Sequence, residues 1–254
     1  MTASSRIANA IRRVIPAKWR PVGYLEELTR QRTSSRVRSG PFAGMRYGDV
    51  SVGSAYIPKL LGIYERELAD LIEDACKRDP ALIVDVGAAE GYYAIGLALR
   101  NPAARVVAFE DDSRGRDALR HTAALNGVSA RLEIRGRCEP ADLVAALEGA
   151  PEVLVICDVE GFEETLLDPS LVPALSRATI LVELHEFLVP GVTALLGERF
   201  HDTHVLQHVL QKSRSSDDFP WRTLFTAVLP SSYLAWAVSE WRPERMSWLW
   251  MVPR

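Results

Sequence analysis

Short apolar runs alternate with segments of helical periodicity from about residue 60 to the C-terminus. The strand-like runs occupy residues 81–86, 105–110, 130–135, 153–158 and 178–183. Between them, helical spacing covers residues 64–77 and 114–126, and further helices are expected from Tyr92 to just before Asn101 and after Pro140. This alternation is typical of a parallel sheet covered by helices.

The pattern changes after the fifth predicted strand. A helix near residues 191–199 leads into an apolar, β-rich run at 204–210, a polar loop at 211–218 and a final strand at 246–252. Two terminal strands of this kind suit an antiparallel edge, and the continuous apolar runs before them predict strands buried on both faces. We therefore predict an α/β fold: a doubly wound, mostly parallel, seven-stranded Rossmann-like sheet with an antiparallel C-terminal edge and helices on both faces.

The first predicted strand runs into a glycine-bearing turn, in the segment Leu82-Ile-Val-Asp85-Val-Gly87-Ala-Ala-Glu-Gly91-Tyr-Tyr93. The second predicted strand ends on Glu110, 25 residues after Asp85. A strand, a glycine turn and a following strand that ends in a carboxylate predict a nucleotide-type cofactor site. The carboxylate of Glu110 can accept hydrogen bonds from both hydroxyls of a ribose.

The composition of the turn distinguishes between cofactors. A dinucleotide site favours G-x-G-x-x-G, whose glycines bring pyrophosphate onto a helix N-terminus. This turn has only Gly87 and Gly91, and Glu90 adds a negative charge near the expected position of the pyrophosphate. Asp85 instead suits a ligand with an ammonium or a sulfonium group. S-adenosyl-L-methionine has both groups and no phosphate.

Several motifs together resemble a known family. Val84-Asp-Val-Gly-Ala-Ala-Glu-Gly91-Tyr resembles motif I of class I methyltransferases, and Ala108-Phe-Glu110 resembles their second-strand acid. The ordered set Gly62-Ile-Tyr-Glu-Arg-Glu-Leu68, Leu125-Asn-Gly127, Asp158-Val-Glu-Gly161-Phe-Glu163 and Glu183-Leu-His185 is similar to FkbM-type methyltransferases. This resemblance covers roughly residues 62–186 and implies O-methylation without specifying the acceptor.

The resemblance also implies roles for individual residues. Gly87 and Gly91 would leave room for the cofactor, Asp85 would lie at its methionine end, Glu110 would bind its ribose, and Cys138 would lie near its adenine. Ala89 stands where many class I enzymes have a second glycine. The full predicted cofactor-binding set is Asp85, Gly87, Ala89, Gly91, Tyr92, Glu110, Cys138 and Asp158.

Candidate catalytic residues follow the fourth and fifth predicted strands. Asp158 and Glu160 flank one strand end, and Glu183 and His185 flank the other. Residues two apart on an extended segment point the same way, so each pair is expected to face one cleft. His185 is the predicted general base, oriented by Asp158 or Glu183. The structural alternatives are that Glu160 caps a helix and that Glu183 pairs with an arginine.

No metal site is predicted, although two histidine-containing patterns raise the question. Asp158, Glu183 and His185 form a mixed oxygen and nitrogen set that can hold a divalent cation chelating a diol acceptor, but no spacing rule supports it. His201, His204 and His208 have a spacing that resembles a helical metal motif. The sequence around them favours a strand, on which they would not converge.

Charge is distributed unevenly along the chain. Residues 1–50 contain ten Lys or Arg against three Asp or Glu, about +7, which leaves 20 against 30, about −10, for the remainder. We predict a basic N-terminal arm or cap over residues 1–60 and a methyltransferase domain over 61–254. The arm is expected to be solvated, yet apolar residues at helical spacing within 6–17 also allow peripheral contact with a membrane surface.

Composition limits the class of protein. The chain has 254 residues, of which 48% are hydrophobic and 25% charged, and it lacks both a secretory signal pattern and an apolar stretch of about 18 residues. Three cysteines without CxxC pairing suggest reduced thiols in a cytoplasmic protein. We predict an S-adenosylmethionine-dependent methyltransferase of EC class 2.1.1 that acts on a hydroxyl of a small metabolite, glycan or natural product. An NAD-linked oxidoreductase and a non-catalytic binding protein are the alternatives, and nucleic acid is a disfavoured partner.

Overall fold

A seven-stranded sheet forms the centre of the chain in the computed structural model, which describes residues 21–48 and 55–254. The strands are β1 Leu82–Val86, β2 Arg105–Phe109, β3 Leu132–Arg135, β4 Val153–Cys157, β5 Thr179–Leu184, β6 His204–Leu210 and β7 Ser247–Pro253. Their order across the sheet is β3-β2-β1-β4-β5-β7-β6. The strands from β1 to β5 pair in parallel, and β7 lies antiparallel between β5 and β6. The predicted doubly wound sheet with an antiparallel C-terminal edge is confirmed.

Helices connect the strands and cover both faces. They are α1 Pro21–Thr33, α2 Tyr56–Leu61, α3 Ala69–Lys77, α4 Tyr92–Arg100, α5 Ser113–Leu125, α6 Pro140–Leu147, α7 Glu163–Leu166, α8 Val192–Phe200, α9 Leu224–Val228 and α10 Ser231–Ala237. Within the described chain, none of them is long and apolar enough to cross a membrane.

Alternate residues of the central strands build two separate cores. On β4, Leu154 and Ile156 face the core covered by α3, α4 and α5, whereas Val153 and Val155 face the core covered by α6 and α8. The strand period of two therefore accounts for the continuous apolar runs, because both sets of side chains are buried.

The N-terminal part of the described chain packs on the sheet domain. The Phe42 ring lies against α4, where a Cβ on Gly96 would be 2.4 Å from its Cγ. Val37, Met45 and Tyr47 are buried in the same core. The helical pattern within residues 6–17 lies outside the described residues.

The largest differences from the predicted elements lie outside the sheet. The helix expected at 64–77 begins as a regular α-helix only at Ala69, because Glu65 has a left-handed backbone (φ 45°) and a short 3₁₀ turn follows it. Helices α1, α2, α9 and α10 were not predicted. Weak amphipathic periodicity explains the omission of α1, whereas α2 and α9 have only six and five residues.

The turn after β1 is shaped by close contact with the chain after β4. A Cβ on Gly87 would lie 1.7 Å from the carbonyl oxygen of Asp158, and Gly87 has φ +86°. The Asp158 amide donates to the Val86 carbonyl at 2.9 Å, which ties the two strand ends together. The turn can therefore hold only glycine at residue 87.

Gly87→Ala is expected to lower the free energy of unfolding by at least about 2 kcal/mol, because a methyl group would overlap the Asp158 carbonyl. Gly136, directly after β3, is the matched control, since nothing lies within 4 Å of a Cβ built there. Gly136→Ala should change stability by less than about 1 kcal/mol. Urea unfolding measures both, and equal losses would contradict the proposed contact.

Candidate active site

A cavity of about 910 Å³ opens at the carboxyl ends of β1, β2 and β4. It lies where the strand order reverses between β1 and β4, the position at which ligands bind in doubly wound sheets. Ligand pockets typically measure about 300–1,000 Å³. The cavity, called the cleft below, is therefore large enough for a cofactor together with a small acceptor.

Asp85, at the end of β1, lines the cleft and has a buried carboxylate oxygen that is unsatisfied. The residue is only 3% exposed, and its Oδ2 has no hydrogen-bond partner among the described residues. Burial raises the pKa of Asp85 to about 7, and the charges of Asp158 and Glu110 add to the rise. The hydrogen bond from the Ala94 amide acts in the opposite direction. A buried acceptor without a donor is costly, so this atom fits a ligand that brings a cationic donor.

Glu110 holds the turn and the second strand end together. Its Oε2 accepts from the Ala89 amide at 2.7 Å, and its Oε1 accepts from the Asp112 amide at 2.7 Å. Ala89 takes a left-handed backbone (φ 47°), the conformation a glycine would adopt there. The departure from the glycine pattern at this residue is therefore accommodated by the backbone itself. Each carboxylate oxygen keeps a second lone pair that can accept from a ribose hydroxyl.

The structure places most of the predicted cofactor residues on the cleft wall. Asp85, Gly87, Ala89, Tyr92, Glu110, Cys138 and Asp158 all line it. Gly91 is not among the described residues that line the cleft, and a Cβ there would meet the Leu119 side chain at 2.3 Å. The protein's own atoms take the space beside each glycine Cα: the Asp158 carbonyl at Gly87 and the Leu119 side chain at Gly91.

Cys138 and Tyr92 form uncharged parts of the cleft wall. Cys138 is buried beside α6, and burial raises the pKa of its thiol to about 12, so the sulfur is a neutral apolar surface. The Tyr92 ring packs edge-on against the rings of Phe42 and Tyr64. Neither side chain adds charge to the cleft at neutral pH.

Glu90 does not project its charge into the cleft as the turn sequence suggested. It is buried, and Lys59 Nζ lies 2.6 Å from its Oε1 while Tyr47 donates a short hydrogen bond to the same oxygen. Burial acts to raise its pKa, but the Lys59 ammonium and the Tyr47 hydroxyl outweigh it and lower the pKa to about 2. Glu90 thus anchors the N-terminal segment under the turn.

His185, immediately after β5, is oriented by a residue that the sequence did not identify. Its Nδ1 lies 2.5 Å from Oε1 of Glu163, which is completely buried at the start of α7. Its Nε2 is turned toward Asp158, 3.6 Å from Oδ1. Asp158 or Glu183 was expected to orient the imidazole; Glu163 makes the closer contact, at Nδ1, and Asp158 the longer one, at Nε2. Glu163 lay within the Asp158-Val-Glu-Gly161-Phe-Glu163 motif, which was the available signal.

Several interactions act on the pKa of His185. Burial acts to lower its pKa, but the hydrogen bond that Nδ1 donates to Glu163 and the charges of Asp158, Glu163 and Glu160 outweigh it and raise the pKa above its ordinary value. With a proton on Nδ1 directed at Glu163, the Nε2 lone pair is left for another proton. A histidine held in this way is suited to act as a general base.

Glu183 lies behind the cleft, paired with an arginine. Arg242 Nη1 lies 2.8 Å from its Oε1, and the same guanidinium forms an ion pair with buried Glu65. Burial and the charges of Asp158 and Glu65 raise the pKa of Glu183, and burial raises the pKa of Glu65 to about 7. Glu183 is not among the described residues that line the cleft, so its expected place at the surface of the site is corrected to the layer behind it.

Glu160 is exposed at the cleft, although the chain before it is not extended as expected. Strand β4 ends at Cys157, and Glu160 has a left-handed backbone (φ 46°). Residues 158–160 therefore do not form the extended segment from which a common direction of Asp158 and Glu160 was inferred. The residue lines the cleft and contributes charge near His185 rather than a contact.

Three of the predicted catalytic groups converge closely enough to hold a cation. One ligand atom from each of Asp158, Glu183 and His185 lies within 4.8 Å of the others. No other group of this kind is found among residues 21–48 and 55–254. His204 is buried on β6 and bonds the Ala178 carbonyl at 2.9 Å, so the other histidine pattern does not converge within the described chain.

The charge of the cleft wall favours a cationic ligand. Six carboxyl side chains line it against three cationic ones: Asp85, Glu110, Asp111, Asp112, Asp158 and Glu160, and Lys59, Arg137 and Arg242. Lys59 and Arg242 are themselves paired with buried carboxylates. A pyrophosphate would meet this excess of negative charge at close range, whereas an ammonium or a sulfonium would be attracted by it.

The solved structures that are similar to this chain include methyltransferases at low identity. No family model matches the chain, and no curated protein matches it. A precorrin-6y C5,15-methyltransferase from Geobacter metallireducens GS-15 aligns with TM-score 0.48 and 10% identity over 72% of this chain and 87% of that chain. An O-methyltransferase from Bacillus cereus in complex with SAH aligns with TM-score 0.46 and 12% identity over 98% and 97%.

The O-methyltransferase TomG from Streptomyces achromogenes, solved in complex with SAM, is a third similar structure. It aligns with TM-score 0.46 and 14% identity over 99% of this chain and 100% of that chain. Similarities at these identities and TM-scores do not establish a cofactor or a reaction for this chain. The resemblance to FkbM-type methyltransferases accordingly stays a prediction.

Asp85→Asn is expected to stabilise the free protein. In the folded protein the pKa of the Asp85 carboxyl is raised from about 4 to about 7. The free energy of unfolding therefore falls as pH rises through this window, because the carboxyl ionises more readily in the unfolded chain. The amide removes this cost, by up to about 4 kcal/mol at pH 8, since one pKa unit corresponds to about 1.4 kcal/mol. Thermal melts between pH 4 and pH 8 should show the gain growing with pH.

Asp111→Asn is the matched control, because Asp111 is an exposed acid that also lines the cleft. It should leave the stability difference flat across the same pH range. A gain for Asp85→Asn that is already complete at pH 4 would show that ionisation of Asp85 is not its source.

Proposed function

We propose that this protein is an S-adenosylmethionine-dependent methyltransferase that methylates a hydroxyl oxygen of a small metabolite, sugar or natural product. The observation that carries the proposal is His185, whose Nδ1 contacts buried Glu163 and whose Nε2 is turned to Asp158 at the cleft. An oriented imidazole beside a cofactor-sized cleft suits removal of a proton from an acceptor hydroxyl.

The positive charge and the hydrogen-bond donors of S-adenosylmethionine match the acidic groups of the cleft. Asp85, with its unsatisfied Oδ2, would hold the ammonium of the methionine end, and Glu110 would accept from the ribose hydroxyls. Cys138 offers a neutral apolar wall to the adenine. When bound, S-adenosylmethionine supplies an electrophilic methyl group on a positively charged sulfur.

The residues around His185 supply the remaining chemistry. Nε2 of His185 would take the proton of the acceptor hydroxyl as that oxygen accepts the methyl group supplied by S-adenosylmethionine, which would leave as S-adenosylhomocysteine. The resulting imidazolium is stabilised by Glu163 at Nδ1 and by Asp158 beside Nε2. Glu163 is therefore a positioning residue, and His185 is the catalytic one.

A cation-assisted form of the same reaction is the second candidate. The atoms of Asp158, Glu183 and His185 that approach within 4.8 Å would suit a divalent metal that chelates two acceptor oxygens. The ion pair of Arg242 argues against this form, because its Nη1 lies 2.8 Å from Oε1 of Glu183 and already compensates the charge of that carboxylate. We favour the metal-free form, in which His185 Nε2 accepts a proton rather than binding a cation.

The other two alternatives are less compatible with the site. An NAD-linked oxidoreductase would need the cleft to accept pyrophosphate against six lining carboxyl groups. A non-catalytic binding protein would have no use for the Glu163–His185 pair. The three cysteines are free thiols, which supports the proposal of a cytoplasmic protein.

Calorimetric titration should give a binding isotherm with S-adenosylmethionine and no heat with NAD. Glu110→Ala should weaken binding of S-adenosylmethionine by about 10–100-fold, because hydrogen bonds to a charged group are lost. Asp111→Ala removes the neighbouring exposed carboxylate and should leave the affinity nearly unchanged. Tight binding of NAD, or equal effects of the two variants, would refute the cofactor assignment.

Release of S-adenosylhomocysteine with a panel of hydroxylated acceptors tests the catalytic assignment. The rate should fall on the acid side as His185 becomes protonated, with a midpoint above the ordinary histidine pKa of about 6.5. Glu163→Gln removes a charge that raises this pKa, so the acid limb should move to lower pH while kcat falls. His185→Asn should lower kcat by about 100-fold or more.

Glu164→Gln is the control for the same experiment, since Glu164 is the exposed neighbour of Glu163. It should change neither the rate nor the pH midpoint. Treatment with a chelator should also leave turnover unchanged. Activity that is abolished by the chelator and restored by Mg²⁺ would favour the cation-assisted form over proton removal by His185 alone.

A further inference from the structure

A second cavity adjoins the cleft. It has a volume of about 510 Å³ and is formed by residues 211–214, 235–236, 239–242 and 244–245. Arg242 lines both cavities, so they lie within the span of one residue of each other. A cavity of this size can hold a small ligand or part of a larger one. The methyl-transfer chemistry proposed for the cleft gives it no role, so the chemistry of its own lining has to indicate what it binds.

Two tryptophan side chains give the second cavity an aromatic wall. Trp236 on α10 and Trp241 after it both line the cavity and are 42% and 48% exposed. Their ring centroids lie 4.8 Å apart with a tilt of 31°. The Trp241 Nε1 donates to the Trp236 carbonyl at 3.0 Å, so the indole N–H of Trp241 is already used. Trp241 therefore offers a π surface rather than a hydrogen-bond donor, and such a surface packs on the flat face of a ring.

The backbone holds Trp241 in this wall at some cost. It is left-handed at this residue (φ 54°), and the Trp241 amide donates to the Ser239 hydroxyl at 3.2 Å. A left-handed backbone is unfavourable for a bulky residue, and strain of this kind clusters at functional sites. Hydrogen bonds from both the amide and the ring fix the side chain before a ligand arrives, which lowers the entropy cost of binding.

The charge of the second cavity is opposite to that of the cleft. Four cationic side chains line it against two carboxyl groups: Lys212, Arg214, Arg242 and Arg245, and Glu240 and Glu244. Buried Glu240 is already paired with Arg214. Lys212 and Arg245 are exposed and form no ion pair within the described residues, which leaves them against Glu244 alone. The second cavity therefore suits a negatively charged group, which the six carboxyl groups of the cleft would repel.

Arg242 stands where the two cavities adjoin. Its Nη atoms pair with Glu65 and Glu183, whereas its Nε is buried and has no hydrogen-bond partner among the described residues. Oε2 of Glu240 lies 3.8 Å from that Nε, too far for a hydrogen bond. A buried donor that is left unpaired is costly, so Arg242 retains hydrogen-bonding capacity for an oxygen of a ligand.

We propose that the second cavity binds the part of the acceptor remote from the reacting hydroxyl, and that this part is a ring carrying an anionic group. The ring would stack on the two tryptophans, and Lys212 and Arg245 would bind the anion. The hydroxyl end of such an acceptor carries no negative charge, because it lies among the carboxyl groups of the cleft. The role in acceptor binding rests on the proposed methyltransferase function, whereas binding of an anionic ring compound can be measured without turnover.

Calorimetry of the full chain with a matched pair of ligands tests the charge preference. The p-nitrophenyl β-glycosides of glucuronic acid and of glucose share both rings and differ only in a carboxylate. The glucuronide should bind at least about tenfold more tightly than the glucoside, and added salt should reduce this difference. Methyl β-glucuronide and 4-nitrobenzoate each keep the carboxylate and one ring, so the tighter of the two identifies the ring that the tryptophans receive as a sugar or an aryl group.

Two matched comparisons assign the binding to the lining residues. Trp241→Ala should weaken binding of the glucuronide at least about tenfold, because one of the two stacking rings is lost. Tyr233→Ala is its control and should leave the affinity unchanged, since Tyr233 is 43% exposed on the same helix as Trp236 and is not among the described residues that line either cavity.

Lys212→Gln with Arg245→Gln should remove most of the preference for the glucuronide over the glucoside, because the cations that bind the carboxylate are lost. Arg222→Gln should keep that preference, since Arg222 is an exposed arginine that lines neither cavity within the described chain. Thermal melts check that every variant folds. Binding of S-adenosylmethionine should be the same in all of them, because none of these substitutions lies in the cleft.

Equal affinities for the glucuronide and the glucoside would overturn the proposal, and so would equal losses in Trp241→Ala and Tyr233→Ala. Calorimetry with S-adenosylmethionine separates this failure from a failure of the methyltransferase function. A protein that binds S-adenosylmethionine and neither glycoside keeps that function and loses the second site. A protein that binds the glucuronide and not S-adenosylmethionine keeps an anionic-ring site but loses its role in acceptor binding.

Discussion

Carboxyl groups crowded around one end of a buried sheet are the constraint on which the site depends. Six are buried in the described chain: Glu65, Asp85, Glu90, Glu163, Glu183 and Glu240. A buried charge without a partner costs several kcal/mol, so each group needs compensation. Lys59, Arg214, Arg242 and His185 contact five of the six. Asp85 alone among them forms no ion pair within the described residues, and it lines the cleft with one carboxylate oxygen unpartnered.

This distribution separates groups that hold the protein together from groups that act on ligands. The Arg242 and Lys59 pairs join segments far apart in the chain, and Glu65 takes part in them with a left-handed backbone. Asp85 is a position at which stability is given up without an ion pair to offset it, and a cationic ligand would restore it. Strained or unsatisfied groups of this kind cluster at functional sites.

The sequence predicted the sheet well because strand burial and glycine turns are local signals. Asp85, Glu110, Asp158 and His185 could be placed at strand ends from the alternation of elements alone. Glu163 and Arg242 could not be assigned, because their roles depend on long-range packing: Glu163 meets His185 across 22 residues, and Arg242 meets Glu65 across 177. The close contact at Gly87 could not be predicted either, since only the structure shows that the Asp158 carbonyl fills the space beside it.

The central claim is that the cleft binds a cofactor with its cationic end at Asp85 and its reacting end at His185. A crystal structure of the protein with S-adenosylhomocysteine tests it most directly. The account predicts the ligand ammonium against Asp85 Oδ2, the ribose hydroxyls against Glu110, and the sulfur on the side of the cleft that His185 Nε2 faces. A ligand that leaves Asp85 Oδ2 unpaired, or whose sulfur points away from His185, would contradict it.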